Sequence, residues 1–238
     1  MATRRKGHTA LRTNQNNRLI AGKLLLRHRP NGPFVNGSDR SLLYYSAMTK
    51  DDIIALPNPH LRDKSQKVGV ITDAIKDIVQ EMKDATIDWD TSRDHEVGVA
   101  LAAVQIDRMY KIVIVRDNYD DKENHNFTVF INPEITKREG EIIEDFEGCL
   151  SVPNIYGKVA RHTKVKVKAL DIDGREFRVT ATDFLARIFQ HEIDHTNGIV
   201  FIDHIKDKPE AFFELDKEGK LHALDYEEKV EQNPILWQ

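Results

Sequence analysis

The chain has 238 residues, 40% of them hydrophobic and 31% charged, with a formal net charge of −4 and a single cysteine. That length fits one catalytic domain with flanking extensions. No apolar run approaches the roughly 18 residues that a membrane helix requires, and one cysteine excludes an intramolecular disulfide and points to a reducing compartment.

Residues 1–38 hold eight Lys or Arg and no Asp or Glu, which leaves about −12 on the remainder. The longest apolar stretch in this arm, Leu24–Leu26, is too short for a secretory h-region. Three readings of the arm stay open: an organellar transit peptide, a basic tail touching nucleic acid, or an extension without a role. A start of synthesis at Met48 is a further alternative, because the charge balance becomes ordinary just beyond it. Residues 1–50 are therefore expected to be a basic extension without fixed structure, and residues 51–206 the catalytic domain.

From Asp51 the pattern is that of a folded domain. Pro57 and Pro59 interrupt the chain, and Thr72 is placed to cap a helix running to about Thr86, with Ile75, Ile78, Val79 and Met82 as its buried stripe. Short β-type runs follow at 111–115, 127–131, 141–143 and 164–170. In the last run Val165, Val167 and Ala169 alternate with Lys164, Lys166 and Lys168, which predicts a strand with one solvated face. Asp173-Gly174 marks a tight turn into a further strand. A second helix is expected from near Thr182 to about Thr196, ended by Gly198 in a left-handed conformation. The fold class is thus α+β, with largely antiparallel sheets packed around a central helix that carries an HExxH motif. Residues 207–238 read as a charged C-terminal extension with an apolar end, docked through a short helix and a terminal segment.

His191 and His195 stand four residues apart on that second helix, so both imidazoles face one point one turn apart, and Glu192 projects beside them. In this arrangement a carboxylate next to a metal takes a proton from the activated water and later delivers it to the leaving group. Two surface histidines are the plainer alternative. A catalytic metal usually takes a third protein ligand. The metzincin pattern places a histidine where this chain has Phe201, which weakens a protease reading. Cys149, alone, would more often be an inert core residue; beside the helix motif it completes a Cys/His/His set as a thiolate. Gly98–Gln105 reads first as a tightly packed loop or strand, with Gln105 able to donate to a developing oxyanion.

Taken in order, GVALAAVQ (98–105), EGCLS (147–151) and QHEIDH (190–195) resemble the three signature motifs of the peptide deformylases, with similarity from about Asp51 to Lys206. The resemblance implies that Cys149, His191 and His195 bind ferrous iron, replaceable by zinc, nickel or cobalt, and that Glu192 is the acid and base. It implies hydrolysis of the N-formyl group from the initiator methionine of N-formylmethionyl nascent peptides, releasing formate. The side chain of Gln105 and the backbone N–H of Leu150 would hold the oxyanion. The peptide would pair like an added strand beside Val99, Ala100 and Gly148. Phe184, Arg187 and Ile188 share the His191 face of the helix and are candidates for lining the methionine pocket, and an Asp194–Arg161 pair is expected behind the site.

The family's first motif usually has glycine where this chain has Ala100, which implies a negative φ there and a narrower channel. A zinc peptidase or amidase acting on another acyl or peptide substrate is the alternative function. Expected partners extend to a transient ribosome contact, with no membrane and no specific DNA binding. The expected location is cytoplasmic, or the mitochondrion or plastid if the arm is a transit peptide.

Overall fold

The computed structural model describes residues 47–119 and 121–237. Helix α1 spans Asp73–Thr91 and helix α2 spans Asp183–His195. The strands are β1 (Ala100–Ala102), β2 (Ile112–Arg116), β3 (Phe127–Cys149), β4 (Val152–Leu170), β5 (Glu176–Thr182), β6 (Phe212–Leu215) and β7 (Leu221–Ala223). They form one sheet in the order β1-β2-β3-β4-β6-β7, with β5 also paired to β4, and every ladder is antiparallel. Readings made for residues 1–46 lie outside the described residues. Among the described residues, no helix is long and apolar enough to cross a membrane.

Strand β2 explains why the two helices flank the sheet. Its five residues, Ile-Val-Ile-Val-Arg, are all buried. Side chains alternate across a strand, so Val113 and Val115 join Ala100, Ala102, Val165, Val167 and Phe189 on the α2 side, while Ile112 and Ile114 join Leu101 on the α1 side. A strand buried on both faces reads as a continuous apolar run rather than as an alternation.

The expected stripe of α1 is present, with Ile75, Val79 and Met82 buried and Ile78 partly so. Met82 is fully buried, and truncating such a side chain to alanine typically costs about 2–5 kcal/mol. Thr72 occupies the N-cap position but makes no side-chain capping bond. The helix also continues beyond Thr86 to Thr91. Asp90, near its end, is buried against Arg116 of β2 and donates nothing to a local pattern.

Two of the separate short runs prove to be one strand. The runs at 127–131 and 141–143 lie in β3, and the expected breaks are absorbed as register shifts at Ile131/Glu134 and Glu139/Ile142. Asn132 and Gly140 take positive φ at these points, 52° and 76°. Such bulges bend a strand without ending it. The long β3–β4 hairpin thereby reaches from the α1 side of the molecule to the C-terminal segment.

The C-terminal segment adds a hairpin to the short helix and terminal segment expected. It docks chiefly as β6 and β7, followed by single turns at Glu227–Glu231 and Pro234–Trp237. Phe212, Leu224, Val230 and Leu236 are buried with Val159, Phe201 and Ile202 in a third apolar cluster.

Candidate metal centre

The turn joining β3 to β4 fixes Cys149. Cys149 pairs with Val152, so only Leu150 and Ser151 form the turn, and the thiol sits at the end of a ladder. Gly148 pairs with Tyr156, whose ring covers it: a Cβ at Gly148 would lie 2.6 Å from Cε1 of Tyr156.

Helix α2 brings the two histidines to the same point. Its C-terminus is closed by bonds from Ile199 N–H to Asp194 O (3.0 Å) and from Gly198 N–H to His195 O (3.1 Å), with Gly198 at φ 75° as expected. This paired pattern, six-to-one and five-to-two, is the Schellman closure that demands a left-handed residue. Nε2 of His195 lies 3.2 Å from both Sγ of Cys149 and Nε2 of His191. All three ligand atoms fall within 4.8 Å of one another.

These donors suit a divalent cation. Tetrahedral bonds of about 2.0–2.3 Å to nitrogen and sulfur would set neighbouring donors roughly 3.3–3.6 Å apart, close to the spacing observed. Nδ1 of His191 lies 3.0 Å from Oε2 of Glu147, a contact that directs Nε2 toward the cluster. Burial alone would raise the Cys149 thiol, but the neighbouring His195 and His191 outweigh it and bring the pKa down to about 5. At neutral pH the sulfur is therefore a thiolate. Burial opposes charge on His191 too, yet Cys149 and Glu147 raise its pKa well above the ordinary value. The pocket is built to hold positive charge.

Glu192 is buried beside the histidines, and burial raises its pKa against their opposing pull. Its Oε2 has no hydrogen-bond partner among the described residues, nor has Nδ1 of His195. A buried acceptor without a partner is costly, and here it borders the cluster. Gln105 lies on the single turn Ala103–Ile106 that follows β1. Its Oε1 accepts from Ala102 N–H at 2.9 Å, so Nε2 is turned toward Ser151 Oγ (3.2 Å) and Cys149 Sγ (3.6 Å).

Strand β1 supplies an open edge, since among the described residues it pairs only with β2. Arg116 N–H donates to Val99 O, which makes Val99 and Arg116 a hydrogen-bonded pair. By alternation the polar backbone groups of Ala100 then point away from β2. Ala100 is not among the positive-φ residues, in line with the negative φ expected.

The expected Arg161–Asp194 pair is present at 2.6 Å. Arg161 also grips Glu147 through Nε (2.9 Å) and Nη2 (3.1 Å). Of the Phe184, Arg187 and Ile188 trio, Arg187 is committed to other partners. Arg187 is buried, donating to Glu147 Oε1 and to the carbonyls of Val159, Ile143 and Asp145. Ile188 belongs to the core, and Phe184 is exposed, edge-on to Tyr119. In sequence Glu147 is only the first residue of the EGCLS motif. Its place two residues before Cys149 was the one available signal for a hub that joins two arginines and a histidine. Ser151, the partner of Gln105, carried no signal beyond adjacency.

Comparison with known proteins matches residues 50–211 to the family model described as polypeptide deformylase. A peptide deformylase of Thermomicrobium roseum is 38% identical over 169 residues, covering 70% of this chain and 92% of that protein. One from Halothermothrix orenii is 43% identical over 148 residues, covering 62% and 88%. Among solved structures, a peptide deformylase from Legionella pneumophila superposes with a TM-score of 0.58 at 38% identity, over 66% of this chain and 86% of that one. Another, from Synechococcus elongatus in complex with actinonin, gives 0.59 at 29% identity, over 68% and 88%.

Proposed function

The chain belongs to the polypeptide deformylase family and so is a metal-dependent hydrolase that removes the N-formyl group from nascent polypeptides; from that premise we propose which of its residues do the work. The observation that carries the assignment is the convergence of Cys149, His191 and His195 beside Glu192 and the amide donor of Gln105.

Cys149, His191 and His195 are the metal ligands, and α2 with its HExxH motif is the metal-binding centre of the fold. Ferrous iron is the native ion in this reading, with zinc, nickel or cobalt able to take its place. Bound there, a divalent metal supplies a Lewis acid that acidifies water and polarises a carbonyl oxygen. Glu192 takes the proton of the attacking water and returns it to the departing amine nitrogen. A carboxyl raised by burial suits both halves of that transfer. Gln105 Nε2 and the Leu150 N–H donate to the oxyanion of the tetrahedral adduct, which frees formate as the C–N bond breaks. The peptide backbone adds to the open edge at Val99 and Ala100, with Gly148 on its other side, and the methionine side chain fills an apolar pocket. Main-chain pairing fits a substrate whose sequence varies beyond the first residue.

A zinc peptidase or other amidase, the reading left open by the helix motif alone, is not favoured by the family match. Around the catalytic domain at residues 51–206 we place a basic extension (1–50) and a charged C-terminal extension (207–238). A cytoplasmic site of action and a transient ribosome contact complete the proposal, with an organelle as the alternative if the basic arm is a transit peptide. Anaerobically purified protein should release formate from formyl-Met-Ala-Ser and leave unformylated peptides intact. Cleavage of the unformylated peptides without formate release would overturn the assignment.

A further inference from the structure

One side chain, Tyr156, joins three pieces of chain that border the site. Its backbone pairs with Phe213 of β6, its ring lies on Gly148, and its hydroxyl donates to Glu96 Oε1. Burial, followed by the adjacent Glu96, pushes the phenol pKa up, so the hydroxyl remains a donor. Tyr156 and Glu96, with Trp89, Arg93, Leu150 and Pro153, line a recess that reaches Cys149.

Glu96 belongs to the connection between α1 and β1, and the other end of this connection is anchored separately. Gly98 N–H donates to Asp90 Oδ1 at 2.6 Å, and Arg116 Nε donates to Gly98 O at 3.0 Å. Asp90 and Arg116 form a buried pair of their own. A Cβ at Gly98 would meet Thr86 Cγ2 at 2.7 Å, so the backbone is pressed onto α1 there. Only Val97 separates this anchor from Glu96, and Val99 and Ala100 follow directly. The Glu96 end has three supports, the Tyr156 hydroxyl, Arg93 Nη1 at 3.5 Å from Glu96 Oε2, and the turn of the β6–β7 hairpin. Gly219 in that turn, at φ 77°, packs so closely on His95 that a Cβ would lie 2.9 Å from its Cγ. The hairpin lies beyond residue 211, where the family match ends.

We propose that the β6–β7 hairpin, acting through Tyr156 and His95, sets the position of the Glu96–Ala100 edge and with it the width of the peptide channel. Tyr156 is a positioning residue for the substrate and takes no part in the chemistry. This inference rests on the assignment of the Val99–Ala100 edge to the peptide.

Steady-state deformylation of formyl-Met-Ala-Ser by metal-loaded full-length protein tests it. Tyr156→Phe keeps the ring on Gly148 and loses the bond to Glu96, and KM should rise about fivefold to tenfold with kcat and metal content little changed. Glu96→Ala should do the same, and Glu96→Gln, which keeps an acceptor oxygen, should bring KM back toward wild type. Gly219→Val presses a branched side chain on His95 and should raise KM with Tyr156 intact. Amide exchange at residues 95–100 should quicken in each variant with raised KM. Wild-type KM in Tyr156→Phe and Glu96→Ala, or a loss of thermal stability alone, would overturn the role of Tyr156. Wild-type KM in Gly219→Val would overturn that of the hairpin. A wild type that binds metal and releases no formate would instead bring down the functional reading beneath, and this proposal with it.

Discussion

Oε2 of Glu147 lies 3.0 Å from Nδ1 of His191, so the residue two positions before the cysteine orients the imidazole that faces it. The same carboxylate receives Arg161 and Arg187, and the strand carrying Cys149 is thereby tied to the helix carrying both histidines. Removing it by Glu147→Ala leaves Arg187 buried without a carboxylate, leaves Arg161 with Asp194 alone, and frees the His191 ring. Metal affinity should fall by about 10–100-fold, the usual cost of losing a carboxylate behind a histidine ligand. Competition with a chromogenic chelator measures it, and unchanged affinity would remove Glu147 from the account.

Acid stability follows from the same group. Burial would raise Glu147, but the bonds from His191 and Arg161 outweigh it and hold the carboxyl far below the ordinary range. Asp194 is lowered too, where His204 and Arg161 overcome burial. A depressed carboxyl stabilises the fold above its unfolded value, and that contribution is lost as pH falls through the folded one. The contribution of Glu147 and Asp194 should therefore hold down to about pH 5 and be lost progressively below about pH 4. Glu147→Gln, which cannot titrate, should show a shallower acid decline; a slope equal to wild type would contradict the linkage.

Gln105 is oriented by its own backbone neighbour, because Ala102 N–H occupies Oε1 and leaves Nε2 as the donor toward Cys149. Gln105→Ala should retain metal and lower kcat by about 10²–10³, the scale for one oxyanion donor. A variant whose turnover matches wild type would leave Gln105 a packing residue.

Ala100 has its side chain in the core and its backbone polar groups toward the open edge. Ala100→Gly should cost about 0.5–1 kcal/mol through the freer unfolded chain and, by loosening the edge strand, widen the range of formylated peptides accepted. Competition between peptides differing after the methionine reads this directly. Identical preference in both proteins would show that the methyl group does not shape the channel.

Helix α2 was legible because its apolar stripe and Gly198 act within a few residues. The start of α1 was legible for the same reason. Its end was not, since Asp90 is held by Arg116, far away in sequence, and no local pattern shows a buried ion pair. Strand β3 was read as fragments because Asn132-Pro133 and Gly140 ordinarily interrupt a ladder, whereas here they sit at bulges. At the candidate site Cys149 lies in one short motif and His191, Glu192 and His195 in another. The Arg187 contacts and the Tyr156–Glu96 bond join residues 28 to 60 positions apart, and helical spacing alone misdirected Arg187 toward the pocket.

The central claim is that Glu192 moves the proton while Cys149, His191 and His195 hold the metal. Metal content and formate release, measured on the same anaerobic preparation of Glu192→Gln and wild type, test it most directly. The account predicts one equivalent of metal in both proteins and turnover at least about 10²-fold lower in the variant. Wild-type formate release by a fully loaded Glu192→Gln protein would contradict it.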